Sequence, residues 1–208
     1  MKDFLNGIRE EKDCNFKRKL INTLLILLFG IVLGFVSKWL DSRTYNNTIL
    51  DYLDLGNFFS DMAIWLFIAL ALSVYSYNPR RASLNVFLFF LGMTISYHLY
   101  TVLFNGFNPS NYMMIWYRFT LISPLLAYIC WYAKSKSVFS VVINTVIILV
   151  MSISCFSRGM WYFDFRGILY TITFIATLFV IFKDIKVISI SFIIGMFLSF
   201  IVYIPFIG

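Results

Sequence analysis

Histidine is almost missing from this chain of 208 residues, which carries only His98. Glutamate is confined to Glu10 and Glu11. Charged residues of all kinds make up 13%, about half the share of an ordinary soluble domain. The three cysteines, Cys14, Cys130 and Cys155, form no CxxC pair. That excludes a disulfide framework and a cysteine metal site, and leaves small apolar fillers. No GxxxxGK[ST], GxGxxG, HExxH or GxSxG pattern is present, so no nucleotide, zinc-protease or serine-hydrolase chemistry is indicated. A Cys–His nucleophile would need His98 beside a cysteine. Cys130 lies at the wrong predicted depth, and nothing local supports Cys155. An enzyme is therefore the last-ranked class, and no cofactor or metal is expected. Neither a repeat nor a Pro/Gly/Ser-rich linker divides the chain, so 1–208 reads as one domain.

Apolar residues are abundant, with 61% hydrophobic and 20% aromatic. Such a surface needs an apolar solvent, and lipid is the available one. The Phe, Ile, Asn, Lys and Tyr richness points to an AT-rich bacterial genome. A spanning helix needs roughly 20 mostly apolar residues. The stretches 20–40, 58–76, 84–105, 112–133, 138–157, 165–183 and 187–207 meet or approach that length. The expected fold is all-α, a polytopic transmembrane helix bundle of seven spans, with six as the alternative if the last pair does not fully cross. The breaks carry turn or charge signals, as in Asn78-Pro79-Arg80-Arg81 and Asn105-Gly106. Residues 1–19 form a basic arm. The run from Leu20 is too long for a signal peptide and reads as a retained first span.

The net charge of +7 follows from topology and calls for no nucleic acid. With the segments alternating, 12 of the 17 basic residues fall on one side, 4 on the other, and Arg118 lies inside a span. The positive-inside rule then places the N-terminus in the cytoplasm, the C-terminus outside and the chain in the cell membrane, with lipid headgroups as partners. On the outer side, 41–57 is the longest loop, and Asp51 and Asp54 among leucines fit a short interfacial helix or a solvated loop.

Four ionisable residues fall in the outer half: Lys38, Asp61, His98 and Arg118. Arg118 and His98 are each about seven residues in, roughly 10 Å deep. Ionisable groups in a span cost roughly 2.5–3.5 kcal/mol each on insertion scales. An Asp61–Arg118 pair with His98 nearby would offset that. Two readings stand. In one, Arg118 and Lys38 snorkel outward and Asp61 caps a helix start. In the other, these residues line an outward-facing site for a small polar or anionic ligand, walled by Trp65, Tyr97, Trp116 and Tyr117. An arginine fork suits carboxylate or phosphate. Separately, Gly30 and Gly34 form a GxxxG pair that permits close helix approach within the bundle or in a homodimer.

Ile64-Trp65-Leu66, Ser96-Tyr97-His98-Leu99-Tyr100, Ile115-Trp116 and Ser123-Pro124 through Trp131-Tyr132-Ala133-Lys134 resemble a family of uncharacterised bacterial multi-pass membrane proteins, grouped as a domain of unknown function. The likeness covers about a third of the chain. His98 stands where the family has a second aromatic. The resemblance implies a membrane bundle and brings no activity. The size and hydropathy are also similar to those of the substrate-capturing subunits of energy-coupling vitamin transporters, although the first span lacks their small-residue face. The expected function is a small-molecule binding or transport component. The alternative is a structural, regulatory or immunity-type protein that acts through a partner membrane protein.

Overall fold

A computed structural model describes residues 9–11, 15–42, 52–135, 138–158 and 162–203. The elements are α1 (Phe16–Asp41), α2 (Leu55–Ser60), α3 (Met62–Val74), α4 (Pro79–Asn105) and α5 (Ser110–Cys130), the last running into a 3-10 turn at Trp131–Lys134. Then come α6 (Val138–Cys155), β1 (Phe156–Arg158), β2 (Phe163–Phe165), α7 (Ile168–Ile181) and α8 (Ile185–Tyr203). Most of the expected loop 41–57, including Arg43 and Asp51, lies outside the described residues, as do Cys14, Lys136 and Trp161.

Local chemistry sets several of these ends. Asn78 caps α4 by accepting the Arg81 amide at 2.8 Å, and Pro79 occupies the first turn, where its missing N–H costs nothing. The same helix stops at Gly106, whose φ of 72° suits a residue without a Cβ. Pro124 leaves the Thr120 carbonyl without its helical donor, and the Ser123 hydroxyl donates to that carbonyl at 2.9 Å.

Among the described residues, five helices are long and apolar enough to cross a membrane: α1, α4, α5 with its 3-10 turn, α6, and α8 as far as Val202. The expected spans 58–76 and 165–183 are shorter than the sequence suggests. Helix α3 has 13 residues and α7 has 14, about 20 Å each against roughly 30 Å of hydrocarbon. The extended backbone of Asp61 divides the first of these segments into α2 and α3. In the second, Phe163–Phe165 pairs with Phe156–Arg158 as a short antiparallel hairpin within an otherwise all-helical fold. Phe156 stacks on Phe163 and Phe165, with ring centroids at 4.4 and 4.1 Å. That cross-strand aromatic packing favours the hairpin over a further turn of helix.

Helix α3 lies at the centre. One apolar cluster, built around Trp65, Phe89, Phe90 and Trp131, joins it to α4 and α5. Another, around Ile148, Met151, Phe174 and Ile181, joins it to α6 and α7. Helix α1 packs on α4, and α8 on α6. Large apolar side chains also cover the outside, with Leu121 72% and Phe179 73% exposed. An apolar exterior of this extent is compatible with lipid contact and unusual for a protein in water.

Successive helices reverse direction, which gathers their ends. At the basic end, Arg81 donates to the Lys19 carbonyl at 2.6 Å and Lys183 to the Lys134 carbonyl at 2.7 Å. At the hairpin end, Asn105 donates to Ser42 at 3.0 Å and Ser60 to Asp41 at 3.2 Å.

The α1–α4 contact is backbone against backbone. A Cβ on Gly30 would sit 2.2 Å from the Phe89 carbonyl oxygen, and one on Gly34 2.3 Å from that of Met93. Gly92 answers from α4, where a Cβ would lie 2.8 Å from the Leu27 carbonyl oxygen. Gly30→Val should therefore destabilise the protein by at least about 1–3 kcal/mol in detergent unfolding. Gly56→Ala, whose new Cβ would be 3.6 Å from its nearest neighbour, should stay within about 0.5 kcal/mol. Equal stability of the two variants would contradict the contact.

Candidate functional site

At the hairpin end, α1, α3, α4 and α5 converge beneath α2. The cleft between them is lined by Ser37, Phe59, Trp65, Tyr97, Tyr112 and Trp116, together with Met93 and Met113. Its free space is about 10 Å³, the least that admits a single water.

The polar groups of the cleft are tied to one another. Trp65 Nε1–H donates to the Phe59 carbonyl at 2.9 Å, and the Ser37 hydroxyl donates to the same oxygen at 3.1 Å. That carbonyl lies near the end of α2, where helical partners run out. Lys38 is 8% exposed. Its ammonium donates to the Asp41 carboxylate and lies 5.2 Å from the Tyr97 ring centroid. A buried ammonium needs such compensation, and a carboxylate plus an aromatic face provide it. Asp41 also accepts from Ser60 of α2 at 3.2 Å, and the Tyr97 and Tyr112 rings pack with centroids 6.3 Å apart. Asp41 thus links α1 and α2 at the mouth of the cleft.

Of the residues expected to form one site, Trp65, Tyr97 and Trp116 line this cleft, and Lys38 reaches it only through the Tyr97 ring. Asp61 does not join them. Its carboxylate accepts from Arg166 at 3.0 Å and from the Tyr170 hydroxyl at 2.7 Å, facing α7. The expected Asp61–Arg118 pair is therefore not formed, because α3 presents Asp61 to α7 while Arg118 is exposed on the outer face of α5. His98 pairs with Tyr117 through Nδ1 and with Asn108 through Nε2, both at 2.9 Å. These two residues brace the α4–α5 edge and do not line the cleft.

Several contributors carried little sequence signal. Asp41 stands three residues after Lys38, a spacing that pairs charges on a helix. Tyr112 precedes Trp116 by one helical turn. Phe59 and Ser60 carried no signal of their own, because their role comes from the break at Asp61. At the opposite end, Arg9 donates to the Val74 carbonyl at 2.7 Å and to the Trp131 carbonyl, with its guanidinium 4.2 Å above the Trp131 ring. A cation there satisfies the carbonyls at the ends of α3 and α5. Burial lowers its pKa from the usual value, and an arginine still keeps its charge.

Among the described residues, no group of three or more His, Cys, Asp or Glu could hold a metal ion. Comparison with protein-family models, with curated proteins and with solved structures finds no match.

Because the Asp61 and Arg166 side chains are both about two-fifths exposed, at 43% and 41%, solvent screens their pairing. A double-mutant cycle over Asp61→Ala and Arg166→Ala should give a coupling of only about 0.2–1 kcal/mol. A coupling above about 3 kcal/mol would mean that the pair is buried in the working protein.

Proposed function

We propose that this chain is an integral membrane protein that crosses the bilayer seven times with its N-terminus in the cytoplasm. In this reading the aromatic cleft binds a small polar or anionic ligand from the outer side, for binding or for transport. The observation that carries it is the convergence of Ser37, Trp65, Tyr97 and Trp116, from four different helices, on one cleft, with the buried Lys38 ammonium 5.2 Å from the Tyr97 ring centroid. Helices without a ligand to bind have little reason to bury an ammonium beneath a cap that they could leave in water. Lys38 offers a charge, the Ser37, Tyr97 and Tyr112 hydroxyls offer donors and acceptors, and three aromatic rings exclude water.

The seven-span topology is supported by the alternating directions of the long helices with α3 and α7 between them. The basic residues gathered at the end opposite the hairpin support a cytoplasmic N-terminus. The resemblance to uncharacterised bacterial multi-pass membrane proteins supports a bacterial cell membrane and adds no activity. The cleft as it stands is closed. Ligand entry requires α2 to lift, which breaks the Ser60–Asp41 contact and uncovers Phe59.

One observation favours a second reading, a protein that acts through a partner. Arg118 projects from the exposed face of α5 with no salt bridge among the described residues. An acidic group on a partner membrane protein would satisfy it.

Thermal unfolding of the purified protein with acetate, glycine or inorganic phosphate separates the two readings. A ligand present at a hundred times its Kd stabilises the folded state by about 2.7 kcal/mol, a shift of several degrees for a chain of this length. At least one probe should raise the Tm of the wild type and of Arg118→Ala, and none should raise that of Lys38→Ala. A shift that survives Lys38→Ala, or is lost only in Arg118→Ala, would contradict the cleft.

A further inference from the structure

At the basic end, α1 and α3 diverge over α4 and leave a groove of about 580 Å³. Its long wall is apolar, formed by Leu25, Phe29, Phe67, Ile68 and Leu72. Its end is polar, formed by Asn22, Tyr75, Ser76, Tyr77 and Asn85. The groove is thus amphipathic along its length, which a site for a purely apolar helix has no need to be.

Two observations at the polar end point to an occupant. Asn85 is 6% exposed, and its Nδ2 donates to the Ser76 hydroxyl at 3.0 Å while its Oδ1 has no partner. A buried acceptor left unpaired costs about 1–3 kcal/mol, so the site lacks a hydrogen-bond donor. Cations also border this end. Arg81, one turn before Asn85, donates from Nη2 to the Lys19 backbone carbonyl and the Thr23 hydroxyl of α1, while its buried Nε has no partner. Lys134 lies with its ammonium 4.9 Å from the Tyr75 ring centroid.

We propose that this groove holds one anionic glycerophospholipid whose headgroup carries hydroxyl groups, phosphatidylglycerol being the simplest. An acyl chain lies along the apolar wall. The phosphate sits between Arg81 and Lys134, and a glycerol hydroxyl donates to Asn85 Oδ1. Phosphatidylethanolamine can also donate a hydrogen bond, but its ammonium meets the same cations and is disfavoured. The negative surface potential of the cytoplasmic leaflet adds to the attraction in the N-terminus-inside orientation. The site lies at the opposite end of the bundle from the aromatic cleft, and it stands if that cleft binds nothing.

The test is native mass spectrometry of the full chain in mild detergent, stripped of lipid and then given phosphatidylglycerol, phosphatidylethanolamine or phosphatidylcholine. One phosphatidylglycerol per chain should be retained, with a preference of about tenfold or more over the other two, which corresponds to about 1.4 kcal/mol. Asn85→Leu should erase the preference. Ala71→Phe, which fills the groove and leaves its polar end intact, should abolish retention, with the Tm of the lipid-free protein reporting that the variant is folded. Should Asn85→Leu fail to fold, the wild-type preference and Ala71→Phe decide the matter together. Equal retention of all three lipids, or undiminished phosphatidylglycerol on folded Ala71→Phe, overturns the proposal.

Discussion

The α1 backbone lies flush against α4 because Gly30, Gly34 and Gly92 have no Cβ to hold the helices apart. In lipid there is no hydrophobic gain from bringing two apolar helices together, so close packing of this kind is what remains to drive association. Its consequences reach both ends of the bundle. At the hairpin end, the contact brings Ser37 and Lys38 over Phe59 and Tyr97, and so forms one wall of the cleft. At the basic end, α1 leans away from α3 and opens the groove. A bulkier residue at any of the three positions would separate the helices and disturb both features.

The other constraint is charge. Lys38 is neutralised by Asp41, Asp61 by Arg166, and Arg9 turns its charge to helix-terminal carbonyls. Each arrangement is local, and each joins elements that hydropathy alone leaves unrelated. Asp41 ties α1 to α2, Asp61 ties α3 to α7, and Arg9 ties the arm to α3 and α5. Arg118 departs from this pattern, since its side chain is exposed on α5. Snorkelling along the helix would carry its charge toward the headgroups.

Five long apolar helices were legible in the sequence, because hydropathy and length are properties of a segment by itself. So were the break at Asn78-Pro79 and the stop at Gly106, where one residue's backbone chemistry decides. The shortening of the segments around α3 and α7 was not legible. Asp61 in the first segment and Arg166-Gly167 in the second are brief polar interruptions of apolar runs, and whether they break a helix depends on what they meet in the fold. The direction of Arg118 was equally hidden. In a water-soluble helix the polar face marks the outside. Here the outside is as apolar as the core, as exposed Leu121 and buried Phe90 illustrate, so the period of the sequence does not say which way a side chain points. The aromatic wall residues Trp65, Tyr97 and Trp116 could be named in advance, but their common cleft follows from tertiary packing.

The topology proposed above is tested most directly by cysteine labelling. In a background with Cys14, Cys130 and Cys155 replaced, single cysteines at Ser110 and Asp184, both exposed, would be treated with a membrane-impermeant maleimide in intact cells and after permeabilisation. The account predicts that Ser110→Cys reacts in intact cells and Asp184→Cys only after permeabilisation. Labelling of both in intact cells would show that α7 does not carry the chain across, and labelling of Asp184→Cys alone would invert the protein in the membrane. Either result would contradict seven crossings with the N-terminus inside.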